Sequence, residues 1–142
     1  MAITADVLLA VSINKSKGAT PSIRIGNVHA SKFPAREFDI PSSSEIEIDA
    51  KTHEWSSYFK SGLKGALGHL KKMRGSSFKP VGMDIMVDGN VPAGGGLSSS
   101  AAFVCASALA VLNANGEKVI DKTELVELAI VSERAVGVNS GG

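Results

Sequence analysis

The chain has 142 residues, of which 44% are hydrophobic and 20% charged, which excludes an intrinsically disordered protein and fits one globular domain. Fifteen basic residues against 14 acidic ones leave a net charge of +1, so the composition gives no reason to expect nucleic acid or a membrane as partner. The single cysteine, Cys105, permits no internal disulfide and fits a reducing compartment such as the cytoplasm.

Alternating apolar and polar residues predict a sheet in the first half of the chain. A period of two places successive side chains on opposite faces, as in a half-buried strand. The pattern predicts strands at 3–13, 22–29, 36–40, 45–49 and, after a helix, 81–88. In the strand at 45–49, Ile46 and Ile48 alternate with acidic residues, and Pro41 with the serines that follow it predicts the preceding turn.

We predict three helices, at 54–73, at 98–114 and from Asp121 to about residue 137. Apolar residues recur at helical spacing in the first and the third, and the second is apolar on nearly every side. The first contains a glycine at every third position from 62 to 68, each costing about 1 kcal/mol relative to alanine, so we expect another backbone to approach closely there. The second has no polar face, which predicts a buried core helix. The third begins with Asp121, a good N-cap residue. Together these elements predict an α+β layered domain.

A glycine- and serine-rich loop lies between the last predicted strand and the second helix. Gly94, Gly95 and Gly96 carry no Cβ atoms that would keep a ligand away from the backbone. Their N–H groups can form an anion-binding nest, and the following helix directs its positive end to the same place. The loop lacks the Gly-Lys-Ser/Thr of a Walker A motif, and Ser99 occupies the third glycine position of a dinucleotide fingerprint. The loop therefore predicts phosphate binding; the alternative is an ordinary turn whose serines cap the helix.

The residues of this loop also carry a family resemblance. Pro92-Ala93-Gly94-Gly95-Gly96-Leu97-Ser98-Ser99-Ser100-Ala101 resembles the second signature motif of the GHMP kinases, which phosphorylate small molecules. Trp55-Ser56-Ser57-Tyr58 is similar to the Trp-x-x-Tyr helix start of galactokinases. The stretch 132–142 is similar to the one that leads into their catalytic Met-Asp-Gln. The resemblance is greatest to fungal galactokinases and covers nearly the whole chain, most clearly from residue 55.

The resemblance implies a fold, two cofactors and a set of site residues. The fold would be the two-layer α+β sandwich of the GHMP kinase N-terminal lobe, of the ribosomal protein S5 domain 2-like type, in incomplete form over residues 1–142. The cofactors would be ATP and Mg²⁺. The implied nucleotide-binding residues are Gly94, Gly95, Gly96, Leu97, Ser98, Ser99 and Ser100 at the phosphates and Trp55 and Tyr58 at the adenine, with Asn27 as a further candidate. Ser100 and Glu133 are implied as magnesium ligands and Gly141 as a sugar contact.

Three functions remain open at this point. The first is galactokinase chemistry, in which ATP phosphorylates D-galactose to galactose 1-phosphate. The second is a non-catalytic sensor of galactose and ATP with a transcriptional repressor as partner, and the third is another GHMP kinase. The family's catalytic aspartate is expected just beyond Gly142, so no catalytic residue is assigned within the chain. We expect a fragment of a longer enzyme that is inactive alone.

Overall fold

A computed structural model describes residues 4–14, 20–49, 51–52, 54–118 and 120–134. The described residues form one mixed sheet with helices packed on one of its faces. The elements in chain order are β1 (Val7–Asn14), β2 (Ser22–Asn27), β3 (Arg36–Asp39), α1 (Ser56–Arg74), β4 (Gly82–Gly89), α2 (Ser99–Ala114) and α3 (Lys122–Arg134).

The sheet has the strand order β1-β4-β2-β3. β4 lies antiparallel to β1 and parallel to β2, while β3 pairs with β2 in antiparallel fashion. Parallel neighbours need a crossover connection, and α1 supplies it between β3 and β4. The register aligns Val11, Ile85 and Ile25 across three strands, so their side chains share one face. The glycine- and serine-rich loop follows directly from the end of the central strand β4.

The core lies between that face of the sheet and the helices. Its fully buried side chains come from both layers: Ile23, Ile25 and Met83 from the sheet, and Phe59, Leu63, Leu67, Leu70, Val104, Val111 and Leu112 from the helices. The opposite face of the sheet is open, with Leu8 58% and Met86 49% exposed. Burial on one face only explains the alternation in β2, whereas Leu8 of β1 and Met86 of β4 place apolar side chains on the open face.

Most of the predicted elements are confirmed within one to four residues. The turn after Pro41 is also confirmed, since the N–H of Ser44 donates to the Pro41 carbonyl at 2.7 Å. The predicted strand at 45–49 is wrong. Ile46 is buried in the core, but the backbone of 45–49 pairs with no strand among the described residues. The apolar residues of this segment face the core and the polar ones face solvent. An extended segment that pairs with no strand shows the same alternation as a half-buried strand.

The helices depart from expectation in two respects. α2 is buried on one face only, and Leu109 on its other face is 43% exposed. The described residues therefore leave part of its apolar surface uncovered. Of the three α1 glycines, Gly62 lies against the α2 backbone and Gly65 against α3 side chains, whereas a Cβ on Gly68 would meet no atom of the described residues within 4 Å. The N-cap prediction is confirmed, since Asp121 Oδ1 accepts the N–H groups of Thr123 and Glu124 at 2.8 and 3.1 Å. In the described part of the chain, no helix combines the length and apolarity needed to span a membrane.

Candidate functional site

The loop between β4 and α2 is anchored at its start to the segment before β1. Asn90 Oδ1 accepts the N–H of Asp6 at 2.8 Å, and the Asn90 N–H donates to the Asp6 carbonyl at 3.0 Å. A turn follows, in which the Gly95 N–H donates to the Pro92 carbonyl at 3.3 Å. These bonds fix the beginning of the loop to the sheet, so that its direction is set before the glycines.

The backbone of the loop alternates between the two signs of φ. Gly94 has φ +75°, Gly96 +70° and Ser98 +53°, whereas Gly95 and Leu97 are not in the positive region. Alternation of this kind turns successive N–H groups toward one side, which is the geometry of an anion-binding nest. Glycine adopts positive φ without steric cost, but serine does not, so Ser98 holds a conformation that L-residues rarely adopt.

The N–H groups after the turn have no partners in the described part of the chain. No described residue accepts a hydrogen bond from the backbone N–H of Gly96, Leu97 or Ser98. α2 then begins at Ser99, and the Ser98 side chain makes no capping hydrogen bond to it. The alternative of an ordinary turn whose serine caps the helix is therefore not met at Ser98. These donors, which lack partners among the described residues, thus lie just before the positive end of a 16-residue helix.

A cavity of about 360 Å³ adjoins this loop. One part of its wall is the loop and the start of α2, through Ala93, Gly94, Ser99 and Ser100. Another part is aromatic, formed by Phe33, Trp55, Tyr58 and Phe103. Between them lie residues at the ends of three strands: Val7, Asn27, Val87 and Gly89. The cavity thus joins a polar, N–H-rich part to an apolar, aromatic part, the combination that a nucleotide requires.

The aromatic wall is held in place by its own contacts. The Trp55 and Phe103 rings stack with centroids 6.1 Å apart and planes 10° from parallel. Phe33 lies tilted against Trp55 with centroids 5.8 Å apart, and Trp55 Nε1 donates to the Pro34 carbonyl at 3.0 Å. Trp55 therefore ties the segment after β2 to the start of α1, and Tyr58 follows one turn later on the same side of the helix.

The structure brings together six of the residues singled out in the sequence. Gly94, Ser99, Ser100, Trp55 and Tyr58 line the one cavity, as does Asn27. The loop residues Gly95, Gly96, Leu97 and Ser98 are exposed beside it without lining it. Glu133 belongs to α3, but its side chain lies outside the description, and Gly141 lies outside the described residues.

Sequence reasoning missed two aromatic residues of the wall. Phe103 follows Ser99 by four residues, so helical spacing from the serine run could have placed it beside the site. Phe33 lies in the irregular segment between β2 and β3, where no periodicity marks it.

The charge around the cavity bears on how an anion would be held. No lysine or arginine of the described residues lines it, and its one acidic residue, Asp88, stands opposite the exposed Leu8 and so directs its carboxylate to the open face of the sheet. Nor do the described residues group three or more His, Cys, Asp or Glu side chains into a metal site. The serine hydroxyls can thus ligate a Mg²⁺ ion whose other ligands are phosphate oxygens and water, while the backbone N–H groups can bind only the phosphates.

Comparisons with known proteins bear on this arrangement. The family model described as GHMP kinases N terminal domain matches residues 60–142, which include most of α1 and all of β4, the loop, α2 and α3. The chain belongs to the GHMP kinase family. The expected family and its N-terminal fold are therefore confirmed.

Within the GHMP kinase family, this chain is similar in sequence to galactokinases. The galactokinase of Candida albicans is 43% identical to this chain over 145 aligned residues, which cover 100% of this chain and 27% of that protein. The crystal structure of Lactococcus lactis galactokinase complexed with galactose superimposes with a TM-score of 0.71 at 25% identity, over 98% of this chain and 32% of that one. Methanococcus jannaschii mevalonate kinase has the same fold, with a TM-score of 0.69 at 15% identity over 92% of this chain and 37% of that one. The chain spans between a quarter and a third of the length of the Candida galactokinase.

Proposed function

We propose that residues 1–142 are the ATP-binding part of a kinase N-terminal domain, and that the whole protein is a cytoplasmic galactokinase. In that reaction the C1 hydroxyl of D-galactose takes the γ-phosphoryl group of MgATP, giving galactose 1-phosphate and ADP. The proposal rests on the likeness to fungal galactokinases along the full chain and to a galactokinase that was crystallised with galactose. A mevalonate kinase role has less support, because that likeness extends to the fold alone.

One observation carries the nucleotide part of the proposal. The N–H groups from Gly96 to Ser98, which have no partner in the part of the chain that the structure describes, lie beside a cavity whose other wall is aromatic. We assign the phosphates to the nest and to Ser99 and Ser100 at the start of α2. We assign the purine to the aromatic part, where Trp55 and Tyr58 would contact it. Because no described lysine or arginine lines the cavity, backbone donors and the helix end would carry most of the phosphate binding.

Magnesium would lie between the phosphates and Ser100. The Ser100 hydroxyl is the protein ligand on the cavity wall, and Glu133 is assigned as a second ligand on the family resemblance. Bound there, the ion would neutralise charge on the phosphates. Gly141 is assigned to the sugar on the same resemblance.

Binding measurements on the 142-residue chain test the nucleotide part. Isothermal titration with ATP, at saturating Mg²⁺ and in its absence, should give affinity that depends on the ion, since the cavity supplies little positive charge of its own. Ser100→Ala should weaken MgATP binding by more than about fivefold, as expected for a lost charge-assisted ligand. Ser107→Ala is the matched control, because Ser107 is buried within α2 and its hydroxyl bonds the Phe103 carbonyl. Equal affinity of the Ser100 variant and the unaltered chain would contradict the magnesium assignment.

A chimera tests the galactokinase part. The aligned segment of the Candida albicans galactokinase is replaced by these 142 residues, which match it along their whole length. We expect galactose-dependent release of ADP from the chimera, and its loss when Ser100 is alanine. A folded chimera that binds MgATP but releases no ADP with galactose would contradict the kinase assignment and favour a sensor.

A further inference from the structure

The last two residues of β4 are Asp88 and Gly89, an Asp-Gly pair at the point where the strand leads into the loop. Both residues are exposed. An aspartate that precedes glycine can cyclise, because the glycine nitrogen can reach the carboxyl carbon of the aspartate and no Cβ atom of the glycine hinders the approach. The reactivity of the pair therefore depends on how accessible the carboxyl group is and on what the glycine nitrogen is bonded to.

The Gly89 nitrogen is held against the Asp88 carboxylate. Its N–H donates to Asp88 Oδ1 at 2.8 Å, and the carboxyl carbon is bonded to that oxygen. Hydrogen bonds to one neighbouring strand alternate along a strand, and the Asn90 N–H donates on the β1 side, to the Asp6 carbonyl. The Gly89 N–H thus points to the β2 side, where the pairing of β4 ends at Val87, and no described carbonyl accepts it. The nitrogen is therefore close to the carbon that it would attack and is not engaged in the described sheet.

Asn115 and Gly116 form a second pair of this kind, but the fold protects it. In an unfolded chain asparagine before glycine cyclises more readily than aspartate, since a neutral carboxamide is a better electrophile than a carboxylate anion. Asn115 is 8% exposed, and its carboxamide is bonded at both ends, to the Val81 N–H at 3.0 Å and to the Val111 carbonyl at 2.8 Å. The Gly116 N–H donates to the Asn113 carbonyl at 2.9 Å. The fold therefore reverses the order of reactivity expected for the unfolded chain.

We propose that Asp88 is a site of isoaspartate formation, with Gly89 as the attacking residue. The Gly89 nitrogen loses its proton to water and bonds to Cγ of the protonated Asp88 side chain, whose hydroxyl oxygen leaves as water, so that a succinimide ring forms. Water then adds to the main-chain carbonyl carbon of Asp88 and breaks its bond to the Gly89 nitrogen. The product has the same composition as the original chain, but its backbone runs through the Asp88 side chain and is longer by one methylene group.

The longer backbone would displace Asn90, whose two bonds to Asp6 fix the start of the loop. Asn90 Oδ1 accepts the Asp6 N–H at 2.8 Å, and the Asn90 N–H donates to the Asp6 carbonyl at 3.0 Å. Isoaspartate at position 88 should break these bonds and so leave the loop without its anchor. Affinity for MgATP should fall by about fivefold or more, as expected for the loss of one or two hydrogen bonds. This consequence rests on the proposed function, whereas the formation of isoaspartate does not.

Incubation of the 142-residue chain in neutral buffer at physiological temperature tests the reaction, with circular dichroism to establish that the chain is folded. Mass spectrometry with electron-transfer fragmentation distinguishes isoaspartate from aspartate. In the folded chain, isoaspartate should accumulate at Asp88 while Asn115 stays unchanged. In urea the order should reverse, and Asn115 should react first. Absence of isoaspartate at Asp88 in the folded chain, or a faster reaction at Asn115 there, would overturn the proposal.

Asp88→Glu is the matched control, since glutamate keeps the charge but would have to close a slower, six-membered ring. Titration calorimetry should show that the unaltered chain loses affinity for MgATP as isoaspartate accumulates, and that the variant loses none on incubation. The Asp6 amide proton should exchange faster with solvent in the isoaspartate form, a readout that needs no nucleotide. Isoaspartate without faster exchange at Asp6 would overturn the effect on the loop. Faster exchange in a chain that binds no MgATP even when fresh would support the modification and overturn the proposed function.

Discussion

Gly62 in α1 lies directly against the backbone of α2, at the carbonyl of Val104. A Cβ atom placed on Gly62 would be 2.7 Å from the Val104 carbonyl oxygen and 2.9 Å from the Ala108 nitrogen. These distances are shorter than van der Waals contact, so the two helices can approach as they do only if residue 62 has no side chain. The contact fixes the position of α2, whose first residues line the cavity.

Gly62→Ala should therefore destabilise the chain, because α2 would have to move away from α1. We expect the free energy of unfolding to fall by about 1–3 kcal/mol, the usual cost of overpacking. Gly68→Ala is the matched control in the same helix, since no atom that the structure describes lies within 4 Å of its Cβ position. That change should raise the free energy of unfolding by about 1 kcal/mol through helix propensity. Urea unfolding of both variants measures the difference, and a stabilised Gly62 variant would contradict the backbone contact.

Gly96→Ala should weaken MgATP binding by more than about fivefold, because an L-residue at φ +70° is strained by about 1–2 kcal/mol. Relief of that strain would rotate the neighbouring N–H groups out of the nest. Gly116→Ala is the control, since Gly116 has φ +87° and follows the opposite end of α2. Both variants should lose similar stability in urea unfolding, but only the Gly96 variant should lose affinity in titration calorimetry. Equal affinities of the Gly96 and Gly116 variants for MgATP would contradict a role of the loop conformation in nucleotide binding.

Asp84 should make the stability of the sheet depend on pH. Its carboxylate, on the open face of β4, accepts hydrogen bonds from Arg24 of β2 and from Asn14 Nδ2 of β1 at 2.6 Å. The Arg24 bonds and then the Asn14 bond lower the pKa of Asp84 below its ordinary value. A lowered folded-state pKa stabilises the fold above the ordinary carboxyl pKa of about 4, and this contribution is lost as the pH falls through the lowered value.

Urea unfolding between pH 7 and pH 2.5 measures this effect. The free energy of unfolding should fall as the pH approaches 2.5. Asp84→Asn should reduce the slope of the free energy of unfolding against pH. Part of the slope should remain, since the N–H groups of Glu124 and Thr123 also lower the pKa of Asp121. Asp88→Asn serves as control, because Asp88 lies on the same exposed face without an ion pair among the described residues. Identical slopes for the Asp84 variant and the unaltered chain would contradict the role of this cluster.

The sequence predicts well what depends on local period and on one dense motif. Helical spacing predicts α1 and α3, a nearly continuous apolar segment predicts α2, and glycine and serine alone identify the loop from Val91 to Ser100. Of the four aromatic residues in the cavity wall, the sequence predicts only two as site residues. Trp55 and Tyr58 belong to a sequence motif. Phe33 lies in an irregular segment, and only its tilted ring contact with Trp55 places it beside the cavity.

Period alone does not reveal backbone pairing or the identity of a neighbour. Ile46 and Ile48 follow strand spacing, yet strand pairing depends on which edge is within reach, and that is a tertiary property. The α1 glycines are evenly spaced but have different neighbours. A Cβ on Gly62 would contact the α2 backbone, whereas a Cβ on Gly68 would contact no described atom. The positive φ of Ser98 is equally invisible in the sequence, because serine has no preference for that region.

Asn115 should stabilise the end of the molecule opposite the loop through its side chain. It is 8% exposed, and its Oδ1 accepts the N–H of Val81 at 3.0 Å while its Nδ2 donates to the Val111 carbonyl at 2.8 Å. Asn115→Ala would leave the Val81 N–H without this partner just before β4 begins. We therefore expect the free energy of unfolding to fall by about 1–3 kcal/mol, the cost of an unsatisfied buried donor.

The bond from Arg74 to Asn115 should survive the substitution, because it ends on the main-chain carbonyl, 2.6 Å from Arg74 Nη1. Asn113→Ala is the matched control, an exposed asparagine of the same helix whose side chain makes no hydrogen bond to the described residues. It should change the free energy of unfolding by less than about 0.5 kcal/mol. Asn115→Asp should lie between the two, since it keeps the acceptor for Val81 but sets a carboxylate against the Val111 carbonyl. Equal stability of the Asn115 and Asn113 alanine variants in urea unfolding would show that the Val81 N–H finds water instead, and that this end of the sheet is open to solvent.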